Sequence, residues 1–315
     1  MNEADGRLIK IVVICGPTGI GKTGIAMNLA ETFNGRIVSA DSVQIYRHMD
    51  IGTAKASVPE QARVPHYMID IIAPDTSFDA ARYATDADKC IHNLAEKKIL
   101  PIVAGGTGLY IKALIHGIFK DQSADLQVRC RLKQEAENLG GKFLFQRLEK
   151  IDPETAGRIH INDTYRIVRA LETYEVTGVP LSEYHKNHRF DEKRFDAVKI
   201  GLQMDRNLLY ERIERRVDLM IEAGLVDEVK NLVKMGYGPD LKSMQSIGYR
   251  QMLDYINGNM EWDEAVRILK RDTRRYAKRQ FTWFRKDKEI NWFEPDQISK
   301  ITNLIDNFLS EDTAR

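Results

Sequence analysis

The stretch that most constrains the fold covers residues 8–30, LIKIVVICGPTGIGKTGIAMNLA. An apolar run at 11–15 breaks into glycines at 16, 19 and 21, followed by Lys22, Thr23 and a helical pattern. Gly16, Pro17, Thr18, Gly19, Ile20, Gly21, Lys22 and Thr23 fit the phosphate-binding loop pattern at every position. The glycines let consecutive backbone N–H groups curl around an oxyanion, and the helix behind them adds a favourable dipole. Lys22 is expected to set a point charge against the terminal phosphate, and Thr23 to offer a hydroxyl to magnesium. A chance glycine-rich turn is the competing explanation. Strand before and helix after argue against it, so a di- or triphosphate is expected here.

Residues 36–40 (RIVSA) read as a second strand ending at Asp41 and Ser42, where an α/β sheet presents side chains to its ligand crevice. Asp41 can cap the next turn or serve chemistry, and the local residues leave both open. Residues 66–72 (HYMIDII) suggest a third strand or an extended segment, with a helix capped by Ser77 after it. A buried strand at 99–104 runs into Gly105, Gly106, Thr107 and Gly108, a second glycine loop expected to face the same crevice. Strands alternating with helices predict an α/β fold, a doubly wound parallel sheet of the phosphate-loop type. Motor and switch NTPases place an aspartate after four apolar residues to hold magnesium. Asp70 matches that poorly and IVAGG ends without an acid, so ATP hydrolysis is not expected.

From about 118 to 199 the texture becomes helical, and 197–204 (AVKIGLQM) returns to strand character. The expected division is a core of 1–117 and 200–315 with a helical insertion at 118–199. Asn162 and Asp163 open a helix in which Arg166 and Arg169 share a face, the usual pattern of a solvated charged surface. His185 and His188 stand three apart without a cysteine partner and do not read as a metal site. The last long helix, 261–283, has an inward face of Val266, Leu269, Thr273, Tyr276, Gln280 and Trp283.

Charge enters through its distribution. The formal net charge of the 315 residues is +1, yet 267–288 holds ten Lys/Arg against Asp272 and Asp287, which leaves about −7 elsewhere. Arg267, Arg271, Arg274 and Lys278 form a stripe expected to meet phosphates. The three cysteines are far apart, and no stretch approaches a membrane span or a signal peptide. A cytoplasmic protein with a polyanionic partner, no membrane and no obligate protein partner is the expectation.

Several separate segments then converge. GPTGIGKT at 16–23, DSVQIYRHMDIGTAK at 41–55, GGTGLYIKAL at 105–114, the helix from Asn162 to Arg169, SIGYRQM at 246–252 and KRQFTWFR at 278–285 together resemble the bacterial tRNA dimethylallyltransferase family. They reach from near the start of the chain to near its end. The 41–55 segment is the most specific, because phosphate-loop kinases lack it. The resemblance implies transfer of a dimethylallyl group from its pyrophosphate to the exocyclic amine of the adenine just 3′ of the anticodon, with Mg2+ as cofactor. It implies Asp41 as the base, Thr18 and the 16–23 loop on the pyrophosphate, and Thr23 on the metal. It further implies tRNA contacts at Asp41, Ser42, Val43, Gln44, Thr107, Arg129, Tyr165, Arg166, Ile167, Val168 and Arg169, with the insertion gripping the anticodon stem–loop. The alternatives are a small-molecule or nucleotide kinase, a nucleotide-switched RNA-binding module, and prenyl transfer to free adenine nucleotides.

Overall fold

The computed structural model describes residues 8–117, 125–187 and 193–311, without the side chains of residues 126, 185 and 187. His188 and the side chain of His185 therefore lie outside the described residues. The chain divides into two compact units, one of residues 1–115 with 193–315 and one of 116–192.

The first unit begins with β1 (Lys10–Cys15), α1 (Lys22–Thr32), β2 (Gly35–Ser39), α2 (Val58–Arg63), β3 (His66–Tyr67), α3 (Ala80–Glu96), β4 (Leu100–Gly105) and α4 (Gly108–His116). The second unit contributes α5 (Leu126–Leu139), α6 (Gly141–Ile151), α7 (Pro153–Ala156), α8 (Thr164–Thr177) and α9 (Leu181–Asn187). The chain then returns to the first unit through β5 (Asp196–Leu202), α10 (Arg206–Glu222), α11 (Leu225–Lys234), α12 (Tyr249–Ile256), α13 (Trp262–Phe284), β6 (Ile290–Phe293) and α14 (Ile298–Ser310).

The six strands form one sheet in the order β3-β2-β4-β1-β5-β6, and every neighbouring pair is parallel. Apart from Lys10, every residue of β1 is buried, as expected for a strand covered on both faces. On one face Val12, Ile14, Ile102, Val198 and Ile200 pack against Ile25 and Leu29 of α1, Ile213 of α10 and Ile301 of α14. The crossover from β1 runs outward to β2, whereas β5 lies on the other side of β1. This reversal of direction opens a crevice at the carboxyl ends of the central strands. Cys15 pairs with Gly105 and Ser39 with Ala104, so the segments after β1, β4 and β2 leave the sheet side by side.

Three expectations shift. The insertion ends earlier than residue 199, because residues 196–202 pair with β1 along most of their length and group with the sheet unit. Within 66–72 just two residues join the sheet, and Ile72 bridges Tyr46 instead. Asp79 caps α3 by accepting the Arg82 N–H, two residues beyond the expected Ser77.

In the second unit α5, α6 and α8 close over their own core, with Leu132, Leu144, Leu148, Ile167 and Leu171 fully buried. Asp163 caps α8 through the Arg166 N–H, as its place in the sequence suggests.

Candidate active site

A cavity of about 650 Å³ opens where β1, β2 and β4 end, and its wall draws on distant parts of the first unit. Thr18, Gly19, Gly21, Lys22 and Thr23 border it, together with Asp41, Ser42, Val43 and Gln44. Gly16, Gly19 and Gly21 hold φ values of 145°, 81° and 101°, the backbone that turns the loop's N–H groups around a centre. Pro17 has no N–H to offer, and the Ile20 side chain is fully buried in the core. Both residues therefore shape the loop, and any contact from Ile20 comes from its backbone. The Lys22 ammonium donates to the carbonyls of Gly16 (3.0 Å) and Pro17 (2.9 Å), which holds it across the loop.

Asp41 serves as a cap and keeps one carboxylate oxygen clear of that role. Its Oδ1 accepts the N–H groups of Val43 (2.9 Å) and Gln44 (3.3 Å), an Asx-type cap of the turn after β2. Both of its hydrogen bonds among the described residues go to that oxygen, and Oδ2 is left for a ligand on the cavity wall. Thr107 joins the second glycine loop to this turn: its Oγ1 accepts the Ser42 N–H at 3.0 Å and its own N–H donates to the Ala40 carbonyl. Thr107 thus braces the turn and does not itself border the cavity. The Gln44 side chain is likewise engaged, accepting from the Ser39 hydroxyl and donating to the Thr53 and Ala54 carbonyls.

Gln280 ties the two glycine loops together. Its Oε1 accepts the Thr18 N–H at 2.8 Å and its Nε2 donates to the Gly106 carbonyl at 2.9 Å. A Cβ on Gly106 would sit 2.2 Å from that Nε2, so glycine is required for the bridge. Tyr276, one turn earlier, is bonded to Thr107 and Gln280, and burial raises its pKa so that the phenol stays protonated. Gln280 and Tyr276 were visible in the sequence as polar members of an inward stripe. Nothing in that pattern says that they reach two glycine loops.

The cavity is electropositive and short of anions. Burial, with Arg216 adding to it and Asp41 opposing both, brings the Lys22 ammonium down to about 8. Arg216 of α10 also lines the cavity, and burial lowers its pKa against the pull of Asp41. Sequence inspection passed over Arg216, although it lies three residues after the buried Ile213 and four before Met220, which also lines the cavity. Arg250, Arg275 and Arg279 complete the basic wall. Two cations held near one carboxylate in a partly desolvated space favour a polyanionic ligand. The apolar part of the wall, from Ile213, Val217, Met220 and Leu269, accommodates a hydrocarbon group beside it.

The four cations of the expected stripe, Arg267, Arg271, Arg274 and Lys278, lie off the cavity wall. Arg267 pairs with Glu264, Arg271 with Asp272 and Arg274 with Glu214, and none of the three lines the cavity. Arg275 and Arg279, on another face of α13, do. Arg274 reaches Glu214 of α10, which the local sequence of α13 does not display, whereas Arg267 and Arg271 meet acids of their own helix.

The insertion candidates also separate. Ile167 and Val168 are buried in the core of the helical unit, so their side chains cannot reach a ligand. Arg129 and Arg169 both hold the fully buried Glu172, at 2.9 and 2.7 Å, and thereby order α5 against α8. Tyr165 is 76% exposed and Arg166 carries a 67% exposed side chain, so these two present the surface of α8.

Comparison with known proteins gives a consistent picture. The IPP transferase family matches residues 44–287. The tRNA dimethylallyltransferase of Desulfosudis oleivorans is 53% identical over 95% of this chain and 96% of its own. The tRNA dimethylallyltransferase 2 of Geotalea uraniireducens is 49% identical, covering 96% of this chain and 98% of its own. Among solved structures, the tRNA isopentenylpyrophosphate transferase of Bacillus halodurans superposes with a TM-score of 0.72 at 42% identity, over 96% of this chain and 98% of that one. A eukaryotic dimethylallyltransferase acting on tRNA gives a TM-score of 0.77 at 27% identity, over 91% of this chain and 74% of that one.

Proposed function

The chain belongs to the IPP transferase family, and we infer from that membership that it transfers a dimethylallyl group from dimethylallyl pyrophosphate to tRNA. The acceptor is the exocyclic amine of the adenine on the 3′ side of the anticodon. The observation that carries this is the placement of Asp41 and the 16–23 loop on one cavity.

The bond between the allylic carbon and oxygen breaks, the nitrogen–carbon bond forms, and pyrophosphate leaves with the electron pair. The backbone of the 16–23 loop, Lys22 and Arg216 take up the charge that develops on the leaving group. Thr18 borders the loop with its hydroxyl available to the pyrophosphate, while its N–H is committed to Gln280. Asp41 accepts the proton lost by the amine, a role worth about 10²–10⁴ in rate. Ser42, Val43 and Gln44 shape the base end. An adenine stacked in an anticodon loop must be drawn out to reach this depth.

Mg2+ fits the donor set. Magnesium beside phosphates needs few protein ligands, the remainder being water and phosphate oxygens. Thr23 offers one hydroxyl from an exposed position on the cavity wall. Among the described residues no cluster of three or more acidic, His or Cys side chains offers a rival site. When bound, the ion neutralises charge on the pyrophosphate.

On the tRNA side, Tyr165 and Arg166 are the exposed residues that the helical unit offers to the anticodon stem–loop. No helix among the described residues is long and apolar enough to cross a membrane, and a tRNA substrate supports a cytoplasmic location. Incubation with dimethylallyl pyrophosphate, magnesium and unmodified tRNA, followed by nuclease digestion and mass spectrometry, tests the assignment. Prenylated adenosine in the anticodon-loop fragment is the expected product; a phosphorylated acceptor formed from ATP instead would indicate a kinase.

A further inference from the structure

Glu228 of α11 does not border the cavity, yet it holds part of the cavity wall. Its Oε2 accepts the N–H groups of Asp50 (3.0 Å) and Ile51 (2.7 Å), and its Oε1 accepts that of Gly52 (3.1 Å). The Tyr249 hydroxyl donates to the same Oε1 at 2.6 Å. Four donors thus converge on one half-buried carboxylate. Tyr249 also sets the identity of residue 52, because a Cβ on Gly52 would lie 2.5 Å from its ring.

The turn that Glu228 grips is strained. His48 and Ala54 hold φ of 65° and 45°, left-handed backbone that persists in non-glycine residues where the surroundings over-determine it. Lys55, its side chain 3% exposed, supplies a second anchor by donating to the Tyr46 carbonyl and to Asp50 and Asp70. The far side of the turn is functional ground: Gly52, Thr53 and Ala54 line the cavity. The Thr53 and Ala54 carbonyls accept the Gln44 Nε2 at 3.2 and 3.4 Å, and the Gln44 N–H donates to Asp41 Oδ1. An unbroken chain of hydrogen bonds and backbone runs from Glu228 to the carboxylate placed as the base.

We propose that Glu228 is a positioning residue for the acceptor end of the cavity. By fixing the 50–54 turn it sets, through Gln44, where Asp41 stands against the acceptor base. The pyrophosphate loop receives nothing from Glu228, so the effect falls on one substrate. This rests on the assignment of Asp41 and the acceptor given above.

The test compares Glu228→Gln and Tyr249→Phe with the unaltered protein, in turnover with tRNA and in direct binding of dimethylallyl pyrophosphate. A carboxylate satisfies four donors, whereas an amide turns its NH2 against at least one of them. Glu228→Gln is expected to lower kcat/KM for tRNA by about tenfold to a hundredfold, the scale of a small misplacement at a reacting centre. Tyr249→Phe, losing one donor of four, is expected to lower it less. The Kd for dimethylallyl pyrophosphate should stay within about twofold, since an acceptor-side defect leaves donor binding intact. Parallel losses in both quantities, or no loss in either, would overturn the proposal. Should Glu228→Gln fail to fold, Tyr249→Phe decides by the same criterion. Absence of prenylation by the unaltered protein would instead overturn the functional assignment, so the two failures are distinct.

Discussion

Replacing Asp41 by asparagine keeps an acceptor where Oδ1 binds the Val43 and Gln44 N–H groups, and removes the carboxylate proposed to take up the proton. Alanine removes both together and cannot tell cap from catalyst. Asp41→Asn is therefore expected to lose about 10²–10⁴ in kcat while thermal stability and binding of both substrates stay close to those of the parent. A variant that retained turnover would show that the cap is the whole role of this side chain. Lys22 makes a second prediction. Burial and Arg216 bring its ammonium from an ordinary 10.5 down to about 8, so it is charged at pH 7 and begins to lose its proton just above. Between those two values the unfolded chain binds the extra proton, and this group makes the ligand-free protein more stable as pH rises through the window. Donor binding needs the proton and moves the opposite way. Calorimetry should find affinity for dimethylallyl pyrophosphate falling by up to about tenfold from pH 7 to pH 9, with proton uptake on binding near pH 8. Equal affinity and no proton uptake across that range would remove Lys22 from the site.

At the scale of elements, the phosphate loop was legible because its constraints are local: glycines at fixed spacing between a buried strand and a helix. The second glycine loop and the turn after β2 were legible as loops, and parallel pairing in register explains why they meet. What the sequence withheld were contacts across large separations. Gln280 and Thr18 are 262 positions apart, and Glu228 reaches a turn 176 to 178 positions earlier. The 41–55 segment was recognisable as a pattern, yet much of it is architecture: Gly52 fits beneath Tyr249 and Lys55 is a buried anchor. The insertion shows the same limit, since Arg169 read as part of a charged face and Arg129 as an implied tRNA contact, and both close on Glu172. Glu172→Ala leaves those two guanidinium groups facing each other across α5 and α8. Because the arginines keep partial access to water, the cost should fall at the low end for a broken buried pair, about 3 kcal/mol. Denaturant unfolding with hydrogen exchange checks it, with lost protection expected in 126–139 and 164–177. Unchanged protection there would mean that the apolar core carries the unit by itself.

For the whole molecule, a near-zero net charge conceals a division of labour among its cations. Part of the basic cluster on α13 is spent on acids of its own helix and of α10, and part lines the cavity beside Lys22 and Arg216. The phosphate loop sits where a nucleotide-hydrolysing enzyme would carry it, but β2 leads into Asp41 and β4 into a glycine loop without an acid. On the function proposed above, the same cradle holds a leaving group in place of an energy source. The most direct measurement is the stoichiometry of pyrophosphate release with unmodified tRNA and dimethylallyl pyrophosphate in the absence of ATP. One pyrophosphate per prenylated adenosine, with no release when tRNA is withheld, is the expected result. Turnover that requires ATP, or pyrophosphate appearing without a prenylated nucleoside, would contradict the assignment.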